Sequence, residues 1–128
     1  MSTLRFEFFD YAREKYAAEP EFPWLRLPDY AVLRHSDNRK WFGIVMDVPR
    51  NRLGFSGEER VDILNVKLPS AEDVLFYTSQ PGILRGYHIS RGNWISILLD
   101  GTVPLDEVKR LLDLGFRVTE TQKKKKNF

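Results

Sequence analysis

Apolar positions change their period several times along this chain, and each change marks an element. Over residues 3–16, Leu4, Phe8, Tyr11 and Ala12 recur at spacings of three and four, with the stem of Lys15 closing the stripe. That spacing predicts an amphipathic helix. Ser2 or Thr3 can cap its start, and Pro20 and Pro23 bar its continuation. Residues 17–28 read as an extended connector, with Phe22, Trp24 and Leu27 as anchors onto the body.

Residues 30–35 and 40–48 read as strands joined by the turn Ser36-Asp37-Asn38-Arg39. In the second, strict alternation puts Phe42, Ile44, Met46 and Val48 on one side and Trp41, Gly43 and Val45 on the other. A strand apolar on both sides is expected to be central and covered on both faces. Residues 49–60 form a polar loop. In the strand 61–68, Val61, Ile63, Asn65 and Lys67 oppose Asp62, Leu64, Val66 and Leu68. Ser70-Ala71-Glu72-Asp73 has the form of a capping box opening a short helix to about Thr78. Strands follow at 83–89 and 94–99, linked by Ser90-Arg91-Gly92-Asn93. Asp100-Gly101 signals a turn, Val103-Pro104 opens a last helix, Leu114-Gly115 should end it, and 116–119 is a closing segment. Hairpin strands with helices before, between and after predict an α+β class: a mainly antiparallel sheet of about five strands with three helices.

The 128 residues suit one domain, read as 1–122 with its core at 30–119. The absence of cysteine excludes disulfides, thiolate metal sites and cysteine nucleophiles. The amino-terminal start lacks the apolar stretch of a signal peptide, and no apolar run is long enough to span a bilayer. A soluble cytoplasmic monomer without membrane association is therefore expected. Setting aside Lys123 to Lys126, four of the 20 basic residues, leaves 16 against 18 acidic, a nearly neutral body. The residues 123–128 read as a disordered basic tail.

Several ordered segments resemble the MmcQ/YjbR family. They are Arg34-His35 with Lys40-Trp41-Phe42, Leu64-Asn65-Val66-Lys67, Pro81-Gly82, Gly86-Tyr87-His88-Ile89-Ser90, Asn93-Trp94-Ile95, and Leu99-Asp100-Gly101 with Val103-Pro104. The ordered set, spanning 30–119, carries the resemblance. It implies a compact "double wing" fold likened to a phage transcription activator, with a curved sheet forming a concave saddle, and DNA as the partner. At Arg91-Gly92-Asn93-Trp94 the family more usually carries longer basic or His side chains, so charge is reduced where a phosphate contact would fall.

Candidate DNA-binding residues follow. Arg85, Tyr87, His88, Ser90, Arg91 and Asn93, with Trp94, combine donors for phosphates and base edges with stacking rings. On a continuous strand, Arg85 and Tyr87 share one side and His88 takes the other. The same residues also fit a plain hairpin with a buried Tyr–Trp pair. Asn65 and Lys67 either face a ligand or fix register through satisfied hydrogen bonds. Arg39, Lys40, Arg50 and Arg52 make a basic wing tip if their two loops share an edge. His35 and His88, the only histidines, suit structural roles, so no metal is expected. Glu7, Asp10 and Glu14 interleave with Arg5, Arg13 and Lys15 as ordinary ion pairs. No P-loop or Gly-x-Ser-x-Gly elbow occurs, and nothing marks an oxyanion hole beside Ser90, His88 and Asp100. The reading is a non-enzymatic DNA-binding module without cofactor. Its rival is a protein-interaction or small-ligand module, favoured by the neutral body and aromatic strands.

Overall fold

The computed structural model describes residues 4–89 and 92–121, so Ser90, Arg91 and the basic tail lie outside the described residues. Five strands form one open sheet: β1 (Ala31–Arg34), β2 (Trp41–Pro49), β3 (Arg60–Lys67), β4 (Ile83–Arg85) and β5 (Trp94–Leu98). Their spatial order is β1-β2-β3-β5-β4, and every neighbouring pair is antiparallel. Three helices accompany them: α1 (Leu4–Tyr16), α2 (Ala71–Thr78) and α3 (Leu105–Thr119). The α+β class read from the sequence holds.

The helices share one face of the sheet. Phe8, Phe9 and Ala12 of α1, Val74 and Tyr77 of α2, and Val108, Leu111 and Leu112 of α3 pack with Phe42, Leu64, Val66, Ile95 and Ile97. Ser70 caps α2 as the capping box requires, its hydroxyl accepting from the Asp73 N–H. Tyr11, Tyr16 and Lys15 of α1 all donate to the Asp113 carboxylate of α3, tying the two helices together. Burial pushes that carboxyl up, but these three donors together hold it below the ordinary carboxylate range.

Six expectations need correction. The alternation of β2 is broken by a register shift opposite Leu33 and Arg34, where Gly43 pairs with Leu33 but Trp41 pairs with Arg34. The extra residue turns Phe42 to the helix side with Val45, while Trp41 joins Ile44, Met46 and Val48 on the other face. The strand expected over 83–89 ends at Arg85. A Cβ on Gly86 would lie 2.8 Å from the Trp94 Cβ, and the chain leaves the sheet after that close approach. α3 runs through Gly115 to Thr119, so this glycine permits close packing instead of ending the helix.

In α1 the buried stripe takes in Arg5 and Phe9, whereas Lys15 is exposed. Only Arg13 with Asp10 pairs within that helix; Arg5 pairs with Asp62, Arg13 also with Glu19, and Lys15 with Asp113. Of the connector anchors only Trp24 is half-buried, Phe22 and Leu27 being exposed.

Candidate ligand-binding site

The face opposite the helices carries its own apolar set, Ile44, Met46, Val48, Val61, Ile63 and Leu98. No helix covers it. A row of facing residues crosses all five strands: Val32, Ile44, Asn65, Ser96 and Leu84. Asn65 and Ser96, the polar pair at its centre, are fully buried. Asn65 Nδ2 donates to the Ile44 carbonyl at 3.2 Å, the Ser96 hydroxyl donates to Asn65 Oδ1, and the Tyr87 N–H donates to Ser96 Oγ at 2.8 Å. Every member is bonded, so the buried amide is stabilising and not a liability. The last bond also places Tyr87: its N–H engages a side chain of the face instead of the next ladder position.

The Tyr87 loop and the connector bearing Trp24, Leu27 and Tyr30 thereby wall a cavity of about 380 Å³ whose floor is Ile44 and Met46. Its remaining walls are Trp41, His88 and Ile89. The Trp24 ring stands edge-on to Trp41 at 5.6 Å and to Tyr30 at 6.2 Å. The Arg34 guanidinium lies 5.3 Å from the Trp41 ring centre and helps hold the indole. Tyr87 and His88 are edge-on at 4.1 Å. His88 adopts left-handed backbone, φ 58°, a conformation His accepts more readily than most residues. Burial pushes the Tyr30 phenol above its ordinary value, leaving a neutral hydroxyl at the wall. The described lining has no carboxylate. A concave aromatic site of this size with a few polar tips suits a small, largely apolar ligand.

The residues expected to bind DNA divide into groups. Asn65 is buried within the relay, so its role is register and loop placement. Tyr87 and His88 line the cavity and, with β4 ended, do not alternate along a strand. Lys67, Arg85 and Asn93 sit at one end of the sheet beside Trp94, an end shared by the turn that bears Arg39 and Lys40. From that turn to β4 is three to four interstrand spacings, roughly 14–19 Å. Arg39 is paired with Glu21 at 3.3 Å. Arg50 follows β2 at the opposite end, roughly 26 Å along the strand, and the 3-10 turn Arg50–Leu53 then folds back over the sheet face, where Arg52 lines a cavity with Arg85 and not with Arg39 and Lys40. The expected wing tip of four cations therefore does not form. Arg50 is bonded to Asp100 at 3.0 Å.

That opposite end holds a larger cleft, about 710 Å³, lined by Asp29, Asp47, Asp62 and Asp100 with Arg5, Arg50 and Arg60. Its charges pair internally: Arg5 with Asp62 at 2.7 Å, Arg60 with Asp47 and Arg50 with Asp100 at 3.0 Å each. All three arginines of that cleft are thus taken up by aspartates and the Asp29 carboxylate is left over, so it offers no spare cation and a mostly charged wall, and the smaller aromatic cavity is the better site for an apolar ligand. Sequence reasoning singled out Tyr87 and His88 but passed over Trp24, Tyr30, Trp41 and Met46 as site residues. Trp24 carried a signal, an aromatic anchor in a connector with no helix or strand pattern, whereas Tyr30, Trp41 and Met46 were absorbed into the strand pattern.

His35 is buried, as a structural histidine would be, with Nε2 2.7 Å from the Thr119 hydroxyl. No helix of the described residues is long and apolar enough to cross a membrane.

The YjbR family model matches residues 13–118. The uncharacterized protein YyaQ of Bacillus subtilis (strain 168) is 39% identical over 116 residues, covering 91% of this chain and 98% of YyaQ. A crystal structure of a Pseudomonas syringae protein superposes with a TM-score of 0.86 at 40% identity, covering 91% of this chain and 98% of that one. The crystal structure of Deinococcus radiodurans protein DR2400, a DUF419 domain, matches with a TM-score of 0.59 at 19% identity, over 88% of this chain and 74% of that one. That last likeness concerns the fold alone.

Proposed function

This chain belongs to the YjbR family, and from that premise we propose that it is a non-enzymatic binding module for small, largely apolar aromatic molecules. One observation carries the reading: the helix-free sheet face holds an aromatic-walled cavity of about 380 Å³ built by Trp24, Tyr30, Trp41 and Tyr87. Burying an apolar ligand there gains roughly 25 cal/mol per Å² of apolar surface, and edge-on rings add directional contacts. The test is titration with N-phenyl-1-naphthylamine, an uncharged fluorescent probe. Saturable enhancement with one probe per chain is expected, and Leu27→Trp, at the exposed rim, should weaken it. A linear, unsaturable signal overturns the reading.

Binding of DNA is the second reading. Its support is the set Lys40, Lys67 and Arg85 at one sheet end, none of which makes an ion pair among the described residues. Phosphate contacts from these residues would make affinity fall with salt. Fluorescence anisotropy with duplex and single-stranded DNA tests it, with Lys123 to Lys126 replaced by glutamine. Unchanged binding on further replacement of Lys40, Lys67 and Arg85 removes the folded body from the interaction.

A further inference from the structure

The aromatic cavity has a neighbour. Tyr87 and His88 form a partition, and its other side lines a second cavity, about 390 Å³, walled by Arg52, Leu53, Leu84 and Arg85. Arg52 comes from the short 3-10 turn Arg50–Leu53, whose Leu53 packs on the helix-free face, and Arg85 ends β4. Both arginines are exposed, and neither has a hydrogen bond or ion pair among the described residues. The arginines in the charged cleft are each committed to an aspartate. Two arginines with uncommitted guanidiniums among the described residues thus line a hollow that adjoins an apolar one, across a wall only two residues thick.

Resting on the ligand-binding reading above, we infer that the ligand is an amphiphilic anion. Its aromatic or apolar body occupies the Trp24–Trp41 cavity, and a carboxylate, sulfonate or phosphate oxygen group passes the Tyr87–His88 wall to Arg52 and Arg85. Guanidinium forks suit such groups because they present several donors in one plane. Exposed arginines gain little from lone chloride, whereas an anion tethered to a buried apolar body is held at high local concentration. His88, at the partition, has a ring N–H that can donate to the same oxygens.

The test compares two probes of nearly the same body: N-phenyl-1-naphthylamine, uncharged, and 1-anilinonaphthalene-8-sulfonate, its sulfonated counterpart. The full chain should bind the sulfonate at least about tenfold more tightly, the ratio expected for charge-assisted bonds. Arg52→Gln with Arg85→Gln should abolish that preference while leaving the uncharged probe's affinity and the melting temperature unchanged. Equal affinity for both probes overturns this inference and leaves the ligand-binding reading standing. A sulfonate preference that survives the double substitution also overturns it, by placing the anion elsewhere. Failure of both probes to saturate overturns the ligand-binding reading itself, and this inference falls with it.

Discussion

Ser96 donates its hydroxyl to Asn65 Oδ1 in the middle of a sheet face that is otherwise apolar. The pair joins two jobs. Asn65 Nδ2 on the Ile44 carbonyl fixes how β2 meets β3, and Ser96 Oγ receives the Tyr87 N–H that positions the cavity wall. Ser96→Ala leaves both Asn65 Oδ1 and the Tyr87 N–H without their partner. A loss of about 1–3 kcal/mol in urea unfolding is expected. Adding Asn65→Leu should cost less than the sum of the two single changes, because the amide no longer lacks its bond. Strict additivity in that cycle would show that the two side chains are not coupled.

Gly115 meets the sheet where α3 comes nearest to it. A Cβ there would lie 3.1 Å from the Val66 Cβ and 3.3 Å from the Phe42 carbonyl oxygen. Both are held by the sheet backbone and cannot swing aside. Ala in a helix interior is favoured over Gly by about 1 kcal/mol, but overpacking costs about 1–3 kcal/mol. Gly115→Ala is therefore expected to lower the thermal midpoint, read by circular dichroism. A raised midpoint would mean that α3 can shift outward freely.

That glycine also shows where the sequence stops being informative. Gly after an apolar helical face is a stop signal in local terms, yet its purpose here is set by Val66 and Phe42, far away in the chain. Elements specified by their own residues were legible: the Ser70 cap, the Asp100-Gly101 turn and the alternation of β3. The faces of β2 were not, because the bulge exists only where Arg34 meets Trp41. The end of β4 depends in the same way on Trp94, which leaves no room beside Gly86. The site suffers most from this. Tyr87 was visible as a candidate, but its wall partner Trp24 lies in a connector whose path over Trp41 no local pattern encodes.

Arg5 and Asp62 form a two-pronged ion pair, Nε to Oδ2 at 2.9 Å and Nη2 to Oδ1 at 2.7 Å, with side chains only 10% and 15% exposed. Arg5 Nη1 also donates to the Asp29 carbonyl, so one guanidinium joins α1, the connector and β3. Asp62→Ala strands this cation among groups chosen for it. Destabilisation of about 3 kcal/mol is expected. Replacing both partners with Arg5→Met and Asp62→Leu should recover much of that loss. Chemical unfolding of the three variants decides it; a single variant within 0.5 kcal/mol of the parent, the range of an ordinary surface change, would show that the pair is energetically idle.

His35 makes stability depend on pH in a calculable direction. Burial lowers its pKa from the ordinary 6.5, outweighing the opposite pull of Asp37 and Glu120 and acting with Lys40. The neutral ring packs 4.2 Å from Phe116 and 5.1 Å from Phe42, which gives a charge no solvation. Its native pKa lies below the unfolded one, so the folded state binds fewer protons. The stability from this group is complete above about pH 6.5 and is lost as pH falls below it, by at most about 1.4 kcal/mol per pH unit. His35→Gln keeps a polar end near the Thr119 hydroxyl but cannot titrate. The stability gap between parent and variant should therefore move in the variant's favour as pH falls from about 7.5 to about 5.5, a window still above the ordinary carboxylate range. Urea midpoints at fixed ionic strength measure it. Parallel curves across that window would show that His35 accepts a proton equally well folded and unfolded.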